Sequence, residues 1–133
     1  MRKLFEIPVK TRSRNEVIDV TEKVQAIVSK ENIESGACIV FCPHTTAAVI
    51  VNENHDTSLA DDILANLSEI APKNAKYSHL EGNADAHIKT ALVGGTVLIP
   101  IENKKIALGR WQGCLFLEFD GPRQRRLLVQ FII

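Results

Sequence analysis

Nine consecutive residues, "HLEGNADAH" (79–87), combine two histidines, two carboxylates and an asparagine in a chain of 133 residues. Imidazole nitrogens are common ligands of Zn²⁺, and a catalytic zinc site typically has three protein ligands and one open position. His79 and His87 could supply two ligands and His44 or His55 the third, since all four histidines lie within one third of the chain. The spacing matches no short zinc-binding motif, so histidines on a polar surface, without a metal, are the alternative.

Carboxylates and amides surround these histidines, as metal-supporting or acid–base groups would. Glu53 follows an apolar run and lies between two asparagines. It could act as a general base or a metal ligand, and a solvated turn residue is an equal alternative. Asp56 is better placed to cap the following helix, with a role in the site as the second interpretation. Further members of this polar group are Asn52, Glu81, Asn83 and Asp85.

The segment "NADAHIKTALVGG" (83–95) predicts a helix that Asn83 caps and that a pair of glycines ends. The unpaired N–H groups of its first turn would favour a phosphate. The small side chains of Ala84 and Ala86 would leave room for that group. The start of this helix is therefore a candidate anion site.

Arg123 is the basic residue best placed to assist such a site. It belongs to the dense basic group "GPRQRR" (121–126) and follows a Gly-Pro turn that would fix its position. Its guanidinium could add charge-assisted hydrogen bonds to a phosphate. Arg125 and Arg126 are more typical of a solvated strand end.

The segment "LGRWQG" (108–113) contains the single tryptophan of the sequence. Trp111 and Gln112, with glycines on both sides, could line a pocket in which the indole ring stacks on a planar ligand. An anchor in the core or at a subunit interface is the simpler interpretation of this tryptophan.

The elements that must position these residues follow from the apolar pattern. Helices are predicted over residues 19–30, 57–71 and 83–95, the first capped by Asp19 or Thr21 and the second by Thr57 or Ser58. Strands are predicted over residues 3–9, 37–42, 47–52, 95–101, 106–109, 111–119 and 125–133. Pro8 indicates that the first of these strands lies at a sheet edge.

The order and composition of these elements favour one α+β domain. Of the residues, 45% are apolar and 24% are charged, the balance of a soluble globular protein. Strands and helices do not alternate regularly, which favours a largely antiparallel sheet. The last strand is so apolar that we expect its burial between two sheets or between subunits.

Charge and apolar runs exclude several classes of function. Sixteen basic residues balance sixteen acidic ones, so no overall field would attract nucleic acid or a membrane surface. No apolar run is long enough to cross a membrane, and the N-terminus lacks the pattern of a signal peptide, so we expect a cytoplasmic protein. Cys38, Cys42 and Cys114 are expected to be buried free thiols in a reducing compartment.

Four motifs occur in a characteristic order: "HTTAAVIVNEN" shortly before an aspartate, "GNADAHIK", "IPI" with "LG-WQG", and "EFDGPR-RR". In order and spacing they resemble the secondary thiamine-phosphate synthase family, also called the YjbQ-like family. The resemblance extends from about Gly36 to the last strand. It implies a single compact α+β domain, essentially a β-sandwich with two to three helices, that assembles as a homotrimer with its site near the subunit boundaries.

The resemblance also implies roles for individual residues. Metal ligation falls on His44, His79 and His87, and zinc is the ion that these ligands favour. Catalytic roles fall on Glu53, Asp56 and Arg123. Substrate-binding positions are Thr45, Thr46, Asn52, Asn83, Trp111, Gln112 and Glu118, and Asp120 is a further recurrent position. His55 matches none, so we expect a surface residue there, and Arg110 stands where the family usually has threonine.

The activity that the resemblance implies is thiamine-phosphate synthesis, which joins an aminopyrimidine diphosphate to a thiazole phosphate and releases diphosphate. The metal and Arg123 would stabilise the departing diphosphate, and Asn83 with the helix start would hold a phosphate. Trp111 would stack on the pyrimidine, and Glu53 would transfer protons. This activity could be a side reaction of another catalyst. The alternatives are a metal-dependent hydrolase of a small phosphorylated metabolite and a non-catalytic trimeric module that binds a metal or an anion.

Overall fold

Two antiparallel sheets stacked face to face, with two helices on the far side of the smaller sheet, form the architecture of this protein. The structure, a computed structural model, describes residues 3–133. In chain order its elements are β1 (Leu4–Lys10), β2 (Glu16–Asp19), α1 (Thr21–Lys30), β3 (Ser35–Phe41), β4 (Ala47–Glu53), α2 (Ser58–Ile70), α3 (Ala84–Val93), β5 (Thr96–Glu102), β6 (Lys105–Ile106), β7 (Gln112–Glu118) and β8 (Gln124–Ile132). The five-stranded sheet has the order β1-β8-β3-β5-β6, and the three-stranded sheet has the order β2-β7-β4.

The predicted α+β fold with largely antiparallel sheets is confirmed, and so are the three helices. The edge position that Pro8 indicated is also confirmed, since β1 ends the five-stranded sheet and pairs with β8. β2 was not predicted, because four residues are too few to show a clear alternation of apolar and polar side chains. The predicted strand 106–109 is wrong beyond Ile106. A tight turn at Asn103 and Lys104, which both have positive φ, reverses the chain after β5. Only two residues after the turn, Lys105 and Ile106, then pair with β5.

The main core lies between the two sheets. Ile7 of β1 and Leu127 of β8 belong to the same buried cluster as Phe116 of β7. Val24 and Val28 of α1 complete this cluster from one side. Because side chains alternate along a strand, the apolar positions with a period of two decide which face of each strand turns inwards.

β7 is buried on both of its faces. Cys114 and Phe116 face the main core, whereas Leu115 and Leu117 belong to a second cluster that includes Ala86 of α3. A strand that is covered on both sides is typically apolar throughout, which explains the run "CLFLEF". The same coverage buries Glu118 at the end of the strand.

The outer face of the five-stranded sheet is apolar and exposed. Leu4, Phe41, Leu98 and Ile132 lie on this face and are 54%, 43%, 62% and 52% exposed. A shallow hollow of about 260 Å³ lies among the side chains of β1, β3 and β8 on the same face. Apolar patches of this kind commonly mark interaction surfaces. The last strand, β8, therefore buries one face between the sheets, as expected, and leaves the other partly open.

Carboxylates, rather than hydroxyls, cap the first two helices. Asp19 Oδ1 accepts hydrogen bonds from the N and Oγ1 of Thr21 (2.9 and 2.6 Å). Asp56 Oδ1 accepts hydrogen bonds from the N and Oγ of Ser58 (2.9 and 2.7 Å). The capping roles predicted for Asp19 and Asp56 are confirmed. Capping by Thr57 or Ser58 is wrong, because the carboxylate of Asp56 takes up the first N–H group of α2.

The three cysteines are free and buried, as expected. Burial raises the pKa of the Cys38 and Cys114 thiols to about 12 and that of the Cys42 thiol to about 11. These thiols are therefore protonated and contribute to packing. Within residues 3–133, the helices are too short and too polar to span a membrane.

Candidate functional site

Arg14 joins three segments at the start of α3. It lies between β1 and β2 and donates hydrogen bonds from Nη2 to Asp85 Oδ1 (3.0 Å) and from Nη1 to Asp120 Oδ1 (3.2 Å). Asp85 belongs to the first turn of α3, and Asp120 to the loop between β7 and β8. The side chains of Asp85 and Asp120 are only 1% and 10% exposed. A single guanidinium thus contacts two largely buried carboxylates.

Asp120 is the acceptor on which this cluster converges. Its Oδ2 accepts hydrogen bonds from Asn83 Nδ2 (2.9 Å) and Arg123 Nη2 (3.0 Å), and its carbonyl oxygen accepts one from Arg123 Nε (2.8 Å). Burial raises the pKa of Asp120, but the hydrogen bonds from Asn83 and Arg123 and the charges of Arg123 and Arg14 leave it below its ordinary value. The carboxylate is therefore ionised near neutral pH.

The features predicted for the start of α3 are present only in part. Asn83 occupies the N-cap position, as predicted, but its side chain makes no capping hydrogen bond: Nδ2 donates to Asp120, and Oδ1 has no partner among the described residues. The side chains of Ala84 and Ala86 are buried, and Ala86 packs in the cluster around β7. The guanidinium of Arg123 is half exposed, so an anion could reach it.

Lys89, one turn further along α3, is buried below the same cluster. Its Nζ donates to Asn15 Oδ1 (3.1 Å) and Ser68 Oγ (3.0 Å) and lies 3.9 Å from Asp85 Oδ2. Burial lowers the pKa of Lys89, and the charge of Asp85 acts in the opposite direction. Sequence reasoning did not single out this lysine. Its spacing of four residues from Asp85 on a helix was the available signal.

Three buried side-chain atoms have no hydrogen-bond partner among residues 3–133, and all of them belong to this cluster. They are Arg14 Nε, Asn83 Oδ1 and Asp85 Oδ2. Buried polar atoms in folded proteins are nearly always paired, so each exception calls for an explanation. All three atoms lie in one cluster, which therefore contains a donor and two acceptors that no described residue of the chain pairs with.

His79 and His87 lie together at the start of α3. Their ring centroids are 5.0 Å apart, and the ring planes are inclined by 59°. The pair could therefore supply two nitrogen ligands to one ion. His44, the predicted third ligand, does not join them: no three metal-ligating side chains converge within the described part of one chain. One copy of the chain does not form a complete zinc site, because it brings two histidines together and a third protein ligand is missing.

His44 follows β3 and contacts the backbone of β8. Its Nε2 lies 3.0 Å from the carbonyl oxygen of Arg126 and 3.1 Å from the Arg126 N. When Nε2–H donates to that carbonyl, Nδ1 keeps its lone pair, which is the usual arrangement of metal-bound histidines. Burial lowers the pKa of His44, which favours the neutral ring. Thr45, the next residue, is exposed.

Glu118 and Arg125 form a buried ion pair between the two sheets. Arg125 donates from Nε to Glu118 Oε1 (2.8 Å) and from Nη2 to Oε2 (2.5 Å). The side chain of Arg125 is 6% exposed, and that of Glu118 is 0% exposed. Glu118 also accepts a hydrogen bond from Thr11 Oγ1 (2.8 Å), and Arg125 donates one to Thr46 Oγ1 (2.8 Å).

Glu118 and Thr46, two of the predicted substrate-binding residues, thus contact groups of the protein itself. The expectation that Arg125 belongs to a solvated strand end is wrong, because the side chain is buried against Glu118. A signal for this burial was present in the sequence. Side chains alternate along β8, and Arg125 falls on the same face as the buried Leu127 and Val129.

Glu53 and Asp56 line a separate cavity of about 450 Å³ between β2 and α2. The cavity combines five apolar side chains with five carboxylates: Val17, Ala60, Ile63, Leu64 and Leu115, and Glu16, Asp19, Glu53, Asp56 and Asp61. Hydrogen bonds from Ser58 lower the pKa of Asp56, which therefore stays ionised. The N of Glu53 donates to Asn52 Oδ1 (2.7 Å), and its exposed carboxylate stays available to the cavity.

Trp111 is not a core anchor within one chain, since it is 49% exposed. Its ring centroid lies 4.6 Å from that of His55, and the guanidinium carbon of Arg110 lies 4.7 Å from the indole centroid. These residues, with Asn54 and Gln112, line a small hollow of about 180 Å³. Asn54 also lines the acidic cavity, so the two are neighbours. His55 is exposed, as expected.

The loop that carries Arg14 rests directly on Gly121. The N of Gly121 donates to the carbonyl oxygen of Arg14 (3.1 Å). A Cβ at position 121 would lie 2.3 Å from the carbonyl oxygen of Ser13 and 2.8 Å from Thr11 Oγ1. Only glycine therefore permits this approach. The contact holds the backbone at Arg14 next to Asp120, independently of the Arg14 side chain.

The structure thus divides the predicted site residues into separate groups. One group lies at the start of α3 and contains His79, His87, Asn83 and Arg123. Glu53 and Asp56 line the acidic cavity, and Trp111 and Gln112 line the neighbouring hollow. His44 and Thr46 lie near β8, beside the buried ion pair. Sequence reasoning missed Arg14, Asp85 as a buried partner, and Lys89.

Comparison with known proteins places the chain in a family. Residues 5–133 match the family model described as UPF0047 protein YjbQ-like. A UPF0047 protein of Methanocaldococcus jannaschii is 44% identical over 132 residues, which cover 99% of this chain and 96% of that protein. The UPF0047 protein YugU of Bacillus subtilis is 40% identical over 130 residues, covering 97% of this chain and 98% of that protein.

Solved structures share the fold as well as the sequence. A YjbQ/UPF0047 family protein from Clostridium acetobutylicum is 46% identical, with a TM-score of 0.94 over 96% of this chain and 99% of that one. A hypothetical protein from Aeropyrum pernix is 36% identical, with a TM-score of 0.94 over 98% of each chain. The match to the family model covers almost the whole length of the sequence, and the relatives agree with it. The chain is therefore a member of the UPF0047, YjbQ-like family.

Proposed function

We propose that this protein is a metal-dependent enzyme that acts on a small phosphorylated metabolite, at a site completed when copies of the chain assemble. The observation that carries the proposal is the cluster at the start of α3. There His79 and His87 lie together, Asn83 is linked through Asp120 to the half-exposed Arg123, and Arg14, Asn83 and Asp85 carry the unpaired buried side-chain atoms of residues 3–133. Imidazoles suit a divalent cation, and a guanidinium suits a phosphate. The two together favour a ligand that combines a cation with a phosphate.

Assembly would supply the missing ligand. Two imidazoles leave at least one protein ligand to be provided for a zinc site, and His44 of a neighbouring copy is the candidate. Its Nε2 contacts the backbone of β8, on the sheet whose outer apolar face is exposed. A cyclic homotrimer that covers this face would bury the apolar side chains and bring His44 to a subunit boundary. We place this zinc-dependent trimer in the cytoplasm.

The reaction that we propose is the synthesis of thiamine phosphate, as a main or a secondary activity. The ring nitrogen of a thiazole phosphate attacks the methylene carbon of an aminopyrimidine methyl diphosphate. A C–N bond forms while the C–O bond breaks, and diphosphate leaves with the bonding electron pair. No group is oxidised or reduced. A divalent cation, when bound, would act as a Lewis acid towards the diphosphate.

The residues of the chain have distinct roles in this proposal. Arg123 binds the departing diphosphate, since its exposed guanidinium is held in place by Asp120. Trp111 offers an exposed ring on which the pyrimidine could stack. Glu53, rather than Asp56, is the candidate to deliver a proton to the departing diphosphate, because the Asp56 carboxylate is occupied in capping α2. Within one chain Glu53 lies in the acidic cavity, so its role depends on the assembled protein.

Elemental analysis of the purified protein tests the metal assignment. We expect about one zinc per chain, lost in both His44→Ala and His87→Ala. The matched control is His55→Ala, which removes an exposed imidazole outside the proposed set and should keep the metal. A protein that takes up neither zinc nor manganese after incubation would contradict the ligand assignment.

Phosphorus NMR with the two proposed substrates tests the reaction. We expect diphosphate to be released only when both substrates are present, and Glu53→Gln to keep its metal but lose roughly 100-fold or more in rate. Release of phosphate or diphosphate from one substrate alone would favour the hydrolase. A protein that binds metal and releases neither product would be a binding module.

A further inference from the structure

We infer that Arg14 is a positioning residue of the site at the start of α3, a role that no motif of the sequence assigns to it. The inference rests on the proposed function, since it concerns residues that would hold the metal and the phosphate. It also has consequences for the histidine pair that can be measured without any metal.

The geometry sets the distance between two segments of the site. Each Nη atom of Arg14 holds one carboxylate: Asp85 on α3 and Asp120 in the loop after β7. The guanidinium is planar and rigid, so the spacing of its two amino groups fixes the spacing of the two carboxylates. Of the other cations nearby, Lys89 lies 3.9 Å from Asp85 and Arg123 donates to Asp120, so each of them contacts only one of the two acids. Arg14 is thus the one bridge between the two acids in the described chain.

The two segments carry the groups that the proposed function uses. Asp85 lies two residues before His87, in the same turn of α3. Arg123 donates one hydrogen bond to the carboxylate of Asp120 and another to the carbonyl oxygen of Asp120. The Arg14 bridge, together with the direct hydrogen bond from Asn83 Nδ2 to Asp120 Oδ2 (2.9 Å), therefore sets the position of His87 relative to Arg123. Without Arg14, Asp85 would keep only Lys89 as a nearby cation and Asp120 would keep Arg123, so no guanidinium would tie the two carboxylates to each other.

The backbone around Arg14 is held without help from its side chain. The N of Gly121 donates to the Arg14 carbonyl oxygen (3.1 Å), and the N of Thr11 donates to the carbonyl oxygen of Arg123 (3.0 Å). Truncating the Arg14 side chain should therefore remove the bridge and leave the loop in place. This separates a positioning role from a general role in stability.

The test compares Arg14→Gln and Arg14→Lys with Arg12→Gln in the full-length assembled protein. Arg12 lies in the same loop and its side chain is exposed, so it is a matched control. The first readout is the ¹⁵N spectrum of the four histidine imidazoles in metal-free protein. In Arg14→Gln we expect shifted signals for His87 and His79, and unchanged signals for His55. Millimolar methylguanidinium should restore the original signals, and Arg12→Gln should leave all four unchanged.

The second readout is zinc affinity, measured by competition with a chromogenic chelator. We expect Arg14→Gln to bind zinc roughly 10- to 100-fold more weakly, as is common when an outer partner of a metal site is lost. Arg14→Lys keeps the charge but cannot bridge two carboxylates in the same way, so it should change both readouts in the same direction. If Arg14→Gln does not fold, Arg14→Lys decides by the same measurements.

Unchanged imidazole signals in the Arg14 variants would overturn the inference. A general loss of thermal stability without selective shifts at His79 and His87, and without recovery in methylguanidinium, would overturn it as well. If the wild-type protein binds no zinc, the proposed function fails. The imidazole spectrum still decides the role of Arg14 in that case.

Discussion

Arg125 and Glu118 join the two sheets of the sandwich by a pair of hydrogen bonds that lies out of reach of water. Glu118 ends β7 in the three-stranded sheet, and Arg125 lies near the start of β8 in the five-stranded sheet. The backbone N atoms of Phe119 and Asp120 also donate to Glu118 Oε2 (3.1 and 3.0 Å). The carboxylate is thus well supplied with donors, which compensates for its removal from water.

Removing one partner of this ion pair should strongly destabilise the fold. Arg125→Met leaves the Glu118 charge buried without its main partner, and we expect the free energy of unfolding to fall by about 3–5 kcal/mol. Urea denaturation measures this change. Arg126→Met is the matched control, since it removes the neighbouring arginine whose pair with Glu6 is about half exposed. The control should cost about 1 kcal/mol or less, and similar effects in both variants would contradict the argument.

Acidification should weaken the protein through Glu118 and Asp120. Burial raises the pKa of each carboxyl, but hydrogen bonds and nearby charges outweigh it, so both lie below their ordinary values of 4.5 and 3.8. The unfolded chain then binds protons more readily than the folded chain. The stabilisation is present in full above these ordinary values and is lost as the pH falls through the lower, folded ones.

Urea denaturation over a series of pH values measures this loss. We expect the free energy of unfolding to fall steadily between about pH 5 and pH 2, and to fall less in Asp120→Asn, which has no carboxyl to protonate at that position. A free energy of unfolding that stays constant over this range would contradict the assignment.

Gly121→Ala should destabilise the protein and disturb the Arg14 loop. The added methyl group would lie 2.3 Å from the carbonyl oxygen of Ser13, so backbone must move. We expect a loss of about 1–3 kcal/mol, the usual range for overpacking, measured by thermal or urea denaturation. Gly95→Ala is the control, because its Cβ would lie 3.5 Å from the nearest atom, the Cys42 carbonyl oxygen, at ordinary contact distance. Equal losses in both variants would mean that crowding at Gly121 is relieved elsewhere.

A charge on the outer face of the five-stranded sheet should break the proposed trimer. Leu98→Glu places a carboxylate among the exposed apolar side chains of that face, so burying the face would require burying the charge. Light scattering should show three chains for the wild type and one for this variant. Ile70→Glu changes an equally exposed residue on α2, on the far side of the molecule, and should leave the trimer intact. A monomeric wild type would contradict the trimer.

Local patterns were sufficient for the fold class and for part of the site. The period of apolar residues places α1 and α2, and Asn83 with the pair of glycines places α3. His79 and His87 were expected to lie together, and they do, since one short loop and one helical turn separate them. The face on which Arg125 lies also follows from the alternation along β8.

Contacts over long separations could not be read in the same way. Arg14 meets Asp85 and Asp120 from 71 and 106 residues away, and nothing in its immediate sequence distinguishes it from the neighbouring Arg12. Asn83 is the N-cap residue that its sequence indicated, but its side chain bonds elsewhere, since the acceptor of its amide, Asp120, lies 37 residues further along the chain. Local propensity gave way here to tertiary hydrogen bonding. The proposed third ligand, His44, would come from a second copy of the chain, and local patterns do not describe contacts between copies.

The position of β8 between β1 and β3 links the fold to the order of synthesis. Gln130 of β8 lies opposite Leu4 on one side and Ile39 on the other, so β1 has no neighbour in its sheet until the last strand leaves the ribosome. Until then, the pairing edges of β1 and β3 stay open, and such edges invite contact with other chains. Pro8, which lacks an N–H group, weakens β1 as a template during that interval. We therefore expect slow completion of the sheet, governed by contacts between the two ends of the chain.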